Sequence, residues 1–241
     1  MNKNIQKLLN IALNEVGYLE KSSNSQLDDK TANAGTGNFT KYARDMSKHH
    51  AGIYMNGYAW CDTFVDWCFV QTFGAQTAKE LIGNWSAYTP TSAEYYKQRG
   101  LWNSEPKIGD QIYFYNSHFS EICHTGLVYK IENNIIYTIE GNTSIVNGVI
   151  DNGGAVAIKQ YPKNYARIAG YGHPPYPEEE EEEMAEQIYN WTLACPEWTR
   201  PYVQKALDLG WIHGDENGQL GLTDTKIWCL IVMLRAHNIM E

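Results

Sequence analysis

Apolar positions change their spacing twice along the chain, and the changes divide it. In residues 3–16, Ile5, Leu8, Leu9, Ala12, Leu13 and Val16 fall on one stripe, which predicts an amphipathic helix stopped at Gly17. A polar loop follows at 22–37, and a short helical segment begins at 38–42. In 62–73, Phe64, Trp67 and Cys68 recur at steps of three and four, and the neighbouring positions are apolar too, so this helix is buried. Gly57 precedes it where the chain turns. Gly74 follows it, where a helix end favours a residue that tolerates positive φ. Two more helical segments, 78–81 and 92–97, close at Gly100. From there the period changes to strands: 111–115, 123–130, 135–140, 156–161 and 168–171, with a hairpin turn at Asn133-Asn134. Helices first and an antiparallel sheet afterwards make an α+β fold.

The alternation ends at His173-Pro174-Pro175-Tyr176-Pro177, followed by six glutamates at 178–183. Prolines stiffen such a segment and like charges extend it. The chain therefore reads as a domain over 1–173, a Pro/Glu-rich linker over 174–183 and a small, mainly helical domain over 184–241. In the last, 198–209 and 224–237 are predicted helices, with the turn Gly214-Asp215-Glu216-Asn217-Gly218 between them. So short a segment builds a marginal core alone. Ile227, Trp228, Leu230, Ile231, Val232, Met233 and Leu234 are too many apolar residues for one face of a lone helical hairpin, which predicts self-association through 184–241.

Charge sharpens this division. The net charge of −9 arises wholly in 178–241, with 13 acidic and 4 basic side chains; residues 1–177 carry 15 of each. No basic stripe exists for nucleic acid or an anionic membrane. No apolar run reaches the ~18 residues of a membrane span. The N-terminal residues carry lysines but no apolar core of a signal peptide, so synthesis without a signal peptide in a cytoplasm is expected. The five cysteines, an odd number, argue for reduced thiols over a disulfide framework. Cys68 and Cys229, in apolar helical runs, are expected in the core, and Cys195, before Pro196, half exposed. No Cys/His cluster has zinc spacing; no metal and no cofactor are expected.

The buried helix begins with the chemistry. Cys61 sits in its first turn, where unpaired backbone N–H groups and the positive helix end stabilise a thiolate. Cys68, about two turns deeper, is beyond that effect. A cysteine nucleophile needs a base, and the base an orienting group. Of the seven histidines, His124 alone opens a strand beside a small residue, Gly126, that allows close approach. Cys123, its neighbour, points to the opposite face of a strand and so is not its partner. Glu140 ends the next strand and can hold the imidazole. Asn142, two residues on, is a second polar anchor if the strand continues. The backbone N–H of Cys61 is the first oxyanion donor. Tyr58, Trp60 and Trp85 are candidate cleft residues; Trp198, Tyr202 and Trp211 are candidates for ligand contact or packing between copies in the second domain.

Trp60-Cys61, His124-Thr125-Gly126 and Glu140-Gly141-Asn142-Thr143, in that order, resemble the CHAP family, the cysteine- and histidine-dependent amidohydrolases/peptidases that cut bacterial peptidoglycan. The resemblance covers about 5–172. It implies a papain-like arrangement, Cys61, His124, Glu140 and Asn142 as catalytic residues, and peptidoglycan as partner. Gly17-Tyr18-Leu19-Glu20-Lys21 and Asn38-Phe39-Thr40-Lys41-Tyr42 are similar to stretches that precede the nucleophile in wall hydrolases of Gram-positive phages. Some relatives carry a calcium loop just before the cysteine; Gly52-Ile53-Tyr54-Met55-Asn56-Gly57 holds no carboxylate, so no calcium is expected there. The second domain resembles a single S-layer-homology-like repeat. With reduced cysteines, this implies a phage or prophage endolysin made in the host cytoplasm that acts on the wall after release. A tail- or conjugation-associated wall hydrolase and a silent wall-binding protein are the alternatives. Glutamate codons, GAA and GAG, also spell a purine-rich ribosome-binding sequence, and the run at 178–183 ends at Met184. Some phage endolysins are similar in making a free C-terminal piece from an internal start, so a separately translated fragment beginning at Met184 is expected to join the full chain.

Overall fold

A computed structural model describes residues 2–144, 148–150, 152–177 and 187–240. It divides into two compact units, Met1–Glu179 and Glu180–Glu241. The glutamate run and Met184, and with them the internal-start expectation, lie outside the described residues.

The first unit is α+β, with five helices ahead of a six-stranded antiparallel sheet. Helix α1 (Lys3–Asn14) is capped by the Asn2 side chain, which accepts from the N–H of Asn4 and Ile5. Helix α2 (Lys41–His50) is capped by Thr40. Helix α3 (Cys61–Phe73) ends at Gly74 with φ 75°. Helices α4 (Ala75–Ile82) and α5 (Thr89–Gln98) complete the layer. The strands are β1 (Trp102–Asn103), β2 (Gln111–Asn116), β3 (Glu121–Glu132), β4 (Ile135–Thr143), β5 (Ala155–Pro162) and β6 (Ile168–Gly172), in the order β1-β6-β2-β3-β4-β5. β1 is too short to carry an alternation of its own.

Two clusters hold the unit. Leu8, Leu9, Tyr42, Trp60, Phe64, Cys68 and Phe69 of the helical side pack with Leu127, Ile139 and Val156 of the sheet. Ile112, Phe114, Val128, Ile136, Tyr161 and Tyr171 form a second cluster built on the strands. The proline segment expected at the head of the linker belongs to this unit instead. Tyr176 stacks on Phe69 at 6.1 Å, its hydroxyl donates to the Gly109 carbonyl, and Asn2 donates to the Pro177 carbonyl. An aromatic ring four residues past β6 finds an apolar seat on α3, so the chain does not leave at residue 174.

The second unit holds helices α6 (Arg200–Asp208) and α7 (Asp224–Ala236), preceded by two short 3₁₀ turns. Its core gathers Tyr189, Cys195, Val203, Ala206, Leu222, Ile227, Leu230 and Ile231. Two cysteine expectations are corrected here: Cys195 is buried and Cys229 is exposed. Helix α7 is apolar on every side, so apolar neighbours do not tell which side faces in; Ile227, Leu230, Ile231 and Leu234 do, and Cys229 lies off that stripe. Among the described residues no helix is long and apolar enough to cross a membrane.

Candidate active site

Cys61 is the first residue of α3 and almost fully buried. Its backbone N–H, like the other first-turn N–H groups, has no acceptor within the helix, and no other backbone acceptor takes it among the described residues. Trp60 before it offers no side-chain cap. The helix thus begins with free donors around a sulfur atom.

His124 lies on β3 with no exposed surface, and its Nε2 is 2.9 Å from Glu140 Oε2. The other ring nitrogen, Nδ1, is buried without a hydrogen-bond partner among the described residues. Cys61 is the group that acts on the ring besides Glu140. Burial opposes the imidazolium, but Cys61 and Glu140 together outweigh it and raise the His124 pKa to about 10. Both groups thus favour the protonated imidazole, with Glu140 fixing the ring at Nε2.

Glu140 is itself fully buried and held by neighbours that sequence reasoning missed. The Thr138 hydroxyl donates to Oε1 at 2.6 Å, and the Tyr161 hydroxyl donates to Oε2 at 3.3 Å. Burial and the Glu140 charge raise the Tyr161 pKa, which keeps that hydroxyl a donor. Thr138 was legible in principle, since residues two apart on a strand share a face; Tyr161 depended on the β4–β5 register. Gly126, close against Glu140, has no room for a side chain: a Cβ there would lie 2.5 Å from Glu140 Cγ.

Asn142 is buried, but the strand does not continue regularly to it. Pairing shifts register between Glu140 and Thr143, and Asn142 has φ 53°. Neither its Oδ1 nor its Nδ2 has a hydrogen-bond partner among the described residues. It is thus no second anchor on His124 here, whose Nε2 is taken by Glu140.

Beside the start of α3 opens a cavity of about 380 Å³. Tyr58, Thr63, Trp85, Ser86, Tyr88 and Tyr95 line it, and no charged side chain does. Tyr58 and Trp85, the candidate cleft residues, line this cavity. Trp60 does not: it is buried, stacks on Tyr42 at 5.4 Å, and donates its indole N–H to Glu20. As the residue that leads into α3, its side chain turns into the aromatic core and not toward the cavity. In the second unit, Trp198 meets Trp228 at 5.4 Å, Tyr202 accepts from Arg235, and Trp211 meets His237.

One further pair was not foreseen. Asp62 and Asp66, on successive turns of α3, are buried. Burial pushes Asp62 up to about 7 against the pull of Ser92 and Gln111, and raises Asp66 well above the carboxylate range, with the Asp62 charge adding to it. Tyr54 donates to Asp66, and Gln111 to Asp62 at 2.9 Å.

Helices ahead of an antiparallel sheet, with a helix-start cysteine acting on a strand histidine, form a papain-like layout. The family model described as the CHAP domain matches residues 53–142, which takes in Cys61, His124, Glu140 and Asn142. This supports a CHAP-domain hydrolase acting on peptidoglycan. No curated protein and no solved structure matches the chain. Among the described residues no group of His, Cys, Asp and Glu side chains is placed to hold a metal ion.

Proposed function

We propose that the chain cleaves an amide bond of the peptidoglycan stem or cross-bridge through a Cys61 thiolate, with His124 as acid–base and Glu140 as its orienting carboxylate. The observation that carries this reading is the fully buried His124–Glu140 pair at 2.9 Å, with Cys61 at the start of α3 acting with Glu140 to favour the protonated ring. The thiolate attacks the amide carbon, and the N–H groups at the start of α3 receive the oxyanion. The C–N bond then breaks as His124 Nδ1 gives its proton to the leaving amine, leaving a thioester on Cys61. Water attacks the thioester, His124 takes the water proton, and the acid product departs from the thiolate. The uncharged aromatic cavity at Tyr58, Trp85 and Tyr88 suits an uncharged part of the substrate next to the scissile bond.

The test is digestion of purified Gram-positive walls, with mass spectrometry of the soluble fragments. New amino termini and new carboxyl groups in equal number, with no new reducing sugar ends, are expected. New reducing ends without new amines would overturn the reading. The identity of the freed amine separates an N-acetylmuramoyl-L-alanine amidase from an endopeptidase. The lytic setting of a phage or prophage endolysin fits the same chemistry and belongs to this proposal.

For the second unit the same proposal includes binding to the wall and association with a second copy. Its support is the outer side of α7, where Trp228, Val232 and Met233 are exposed beside Trp198. Val232→Glu is expected to shift the full chain to a monomer in sedimentation velocity while leaving amine release from soluble peptidoglycan fragments, which need no wall anchoring, intact. A wild-type chain that sediments as a monomer at all concentrations removes the self-association part.

A further inference from the structure

Glu20 is buried to 4% exposure, far from Cys61 in sequence and outside the matched residues 53–142. Its Oε2 accepts the indole N–H of Trp60 at 3.0 Å, and no ion pair to it occurs among the described residues. Burying a polar side chain costs stability unless it is hydrogen-bonded, and the Trp60 indole N–H supplies that hydrogen bond. Its backbone is fixed from two sides: Glu20 N–H donates to the Gly154 carbonyl at 2.8 Å, and Gly35 N–H donates to the Glu20 carbonyl at 3.1 Å. Gly154 lets the β5 approach come this close, since a Cβ there would lie 3.1 Å from the Glu20 carboxyl carbon. Glu20 is therefore a fixed post and not a surface acid that happens to reach the indole.

What it holds touches both halves of the site. Trp60 is the residue before Cys61, and its carbonyl accepts the first intrahelical bond of α3, from Phe64 at 2.9 Å. The far edge of the same indole abuts β4 next to Glu140: a Cβ on Gly141 would lie 2.9 Å from Trp60 Cζ3 and 2.6 Å from Phe64 Cβ. The indole is thus a spacer between the start of α3, which carries Cys61, and the β4 segment that carries Glu140. Tyr42 stacks on it and Tyr18 meets it edge-on at 6.4 Å, but ring contacts allow tilt. The hydrogen bond to Glu20 supplies the missing direction.

We propose that Glu20 is a positioning residue for the nucleophile: through the Trp60 indole it sets the distance between Cys61 and the His124–Glu140 pair. This rests on the thiolate reading of the site, but not on the choice of substrate. A misplacement of about 1 Å between reacting groups can cost on the order of a hundredfold in rate.

The experiment uses the full chain with Glu20→Gln, Glu20→Leu, Trp60→Phe and the Glu20→Leu/Trp60→Phe pair. Two rates are read: alkylation of Cys61 by iodoacetamide at pH 7, resolved from the other cysteines by peptide mass spectrometry, and amine release from walls. Glu20→Gln keeps an acceptor for the indole and is expected within about threefold of wild type in both. Glu20→Leu and Trp60→Phe are each expected to lose about tenfold or more in amine release at saturating wall, with the half-saturating wall concentration unchanged and Cys61 alkylation altered alongside. The pair is expected to lose no more than either alone, because both remove one interaction. A lowered melting temperature in Glu20→Leu with both rates unchanged overturns the proposal, as does a Gln variant as impaired as the Leu variant, or losses that add. If the alkylation pattern appears while wild type releases no amine from walls, the positioning role stands and the substrate reading fails.

Discussion

Cys61→Ala is expected to abolish amine release from walls, and His124→Ala to lower it by about three to four orders of magnitude or more. The two should not add. Each removes one half of the proposed Cys61–His124 pair, and a group that acts as a unit is lost with its first member. Cys61→Ala/His124→Ala should therefore be no slower than Cys61→Ala. The assay is amine release over time from purified walls, with a binding pull-down beside it. All three variants should still sediment with walls, because neither side chain lines the aromatic cavity. Cys61→Ala with wild-type activity would remove the thiolate mechanism. Loss of wall binding together with activity would mean that the substitutions act on the fold. Cys68→Ala serves as the contrast. Cys68 is fully buried, and burial raises its pKa well above the ordinary thiol value, so it holds a neutral thiol and is expected to leave the rate unchanged.

Much of this site lies in local pattern. The helix that begins at Cys61, the strand that carries His124 and the strand that ends near Glu140 each follow from the spacing of apolar residues, and their order fits one chemistry. What lies between elements does not show in spacing. Thr138 and Tyr161 hold Glu140, but Tyr161 reaches it only through the register of β5 on β4, which no local pattern fixes. Trp60 beside Cys61 suggests a cleft aromatic; its direction depends on the backbone of the residue leading into α3, and the indole turned into the core toward Glu20. Asn142 was placed by counting two along a strand, and counting fails at a bulge. The same limit applied to α7, whose apolar residues run all the way round and so do not name the buried side.

Glu140→Gln tests how the strand acid serves the histidine. Glutamine keeps the size and an acceptor for the imidazole N–H but removes the negative charge. Burial, which opposes the His124 cation, then faces less opposition, so the His124 pKa falls from about 10. The imidazolium is the acid that the leaving amine needs, so the alkaline limb of the rate profile should move down by at least about one pH unit. The rate at pH 7 should fall by about tenfold or more, since a weaker partner also holds the ring less firmly. Stability carries the same sign. A histidine free in the unfolded chain titrates near 6.5, and in the fold at about 10. The folded state therefore holds the extra proton between those values. Its stabilising contribution is complete below pH 6.5, declines as pH rises and is gone above about 10. Asp62, pushed up to about 7, and Asp110, pushed up to about 8, also make stability depend on pH, but they are common to both proteins and cancel in the difference. The difference in melting temperature between wild type and Glu140→Gln should thus shrink from pH 6.5 toward pH 10. Glu140→Ala, which leaves a buried cation with no carboxylate, should cost about 3 to 5 kcal/mol near neutral pH. A Glu140→Gln rate profile that superimposes on wild type, with a melting difference independent of pH, would show that Glu140 fixes the ring by shape alone and that its charge does not set the protonation of His124.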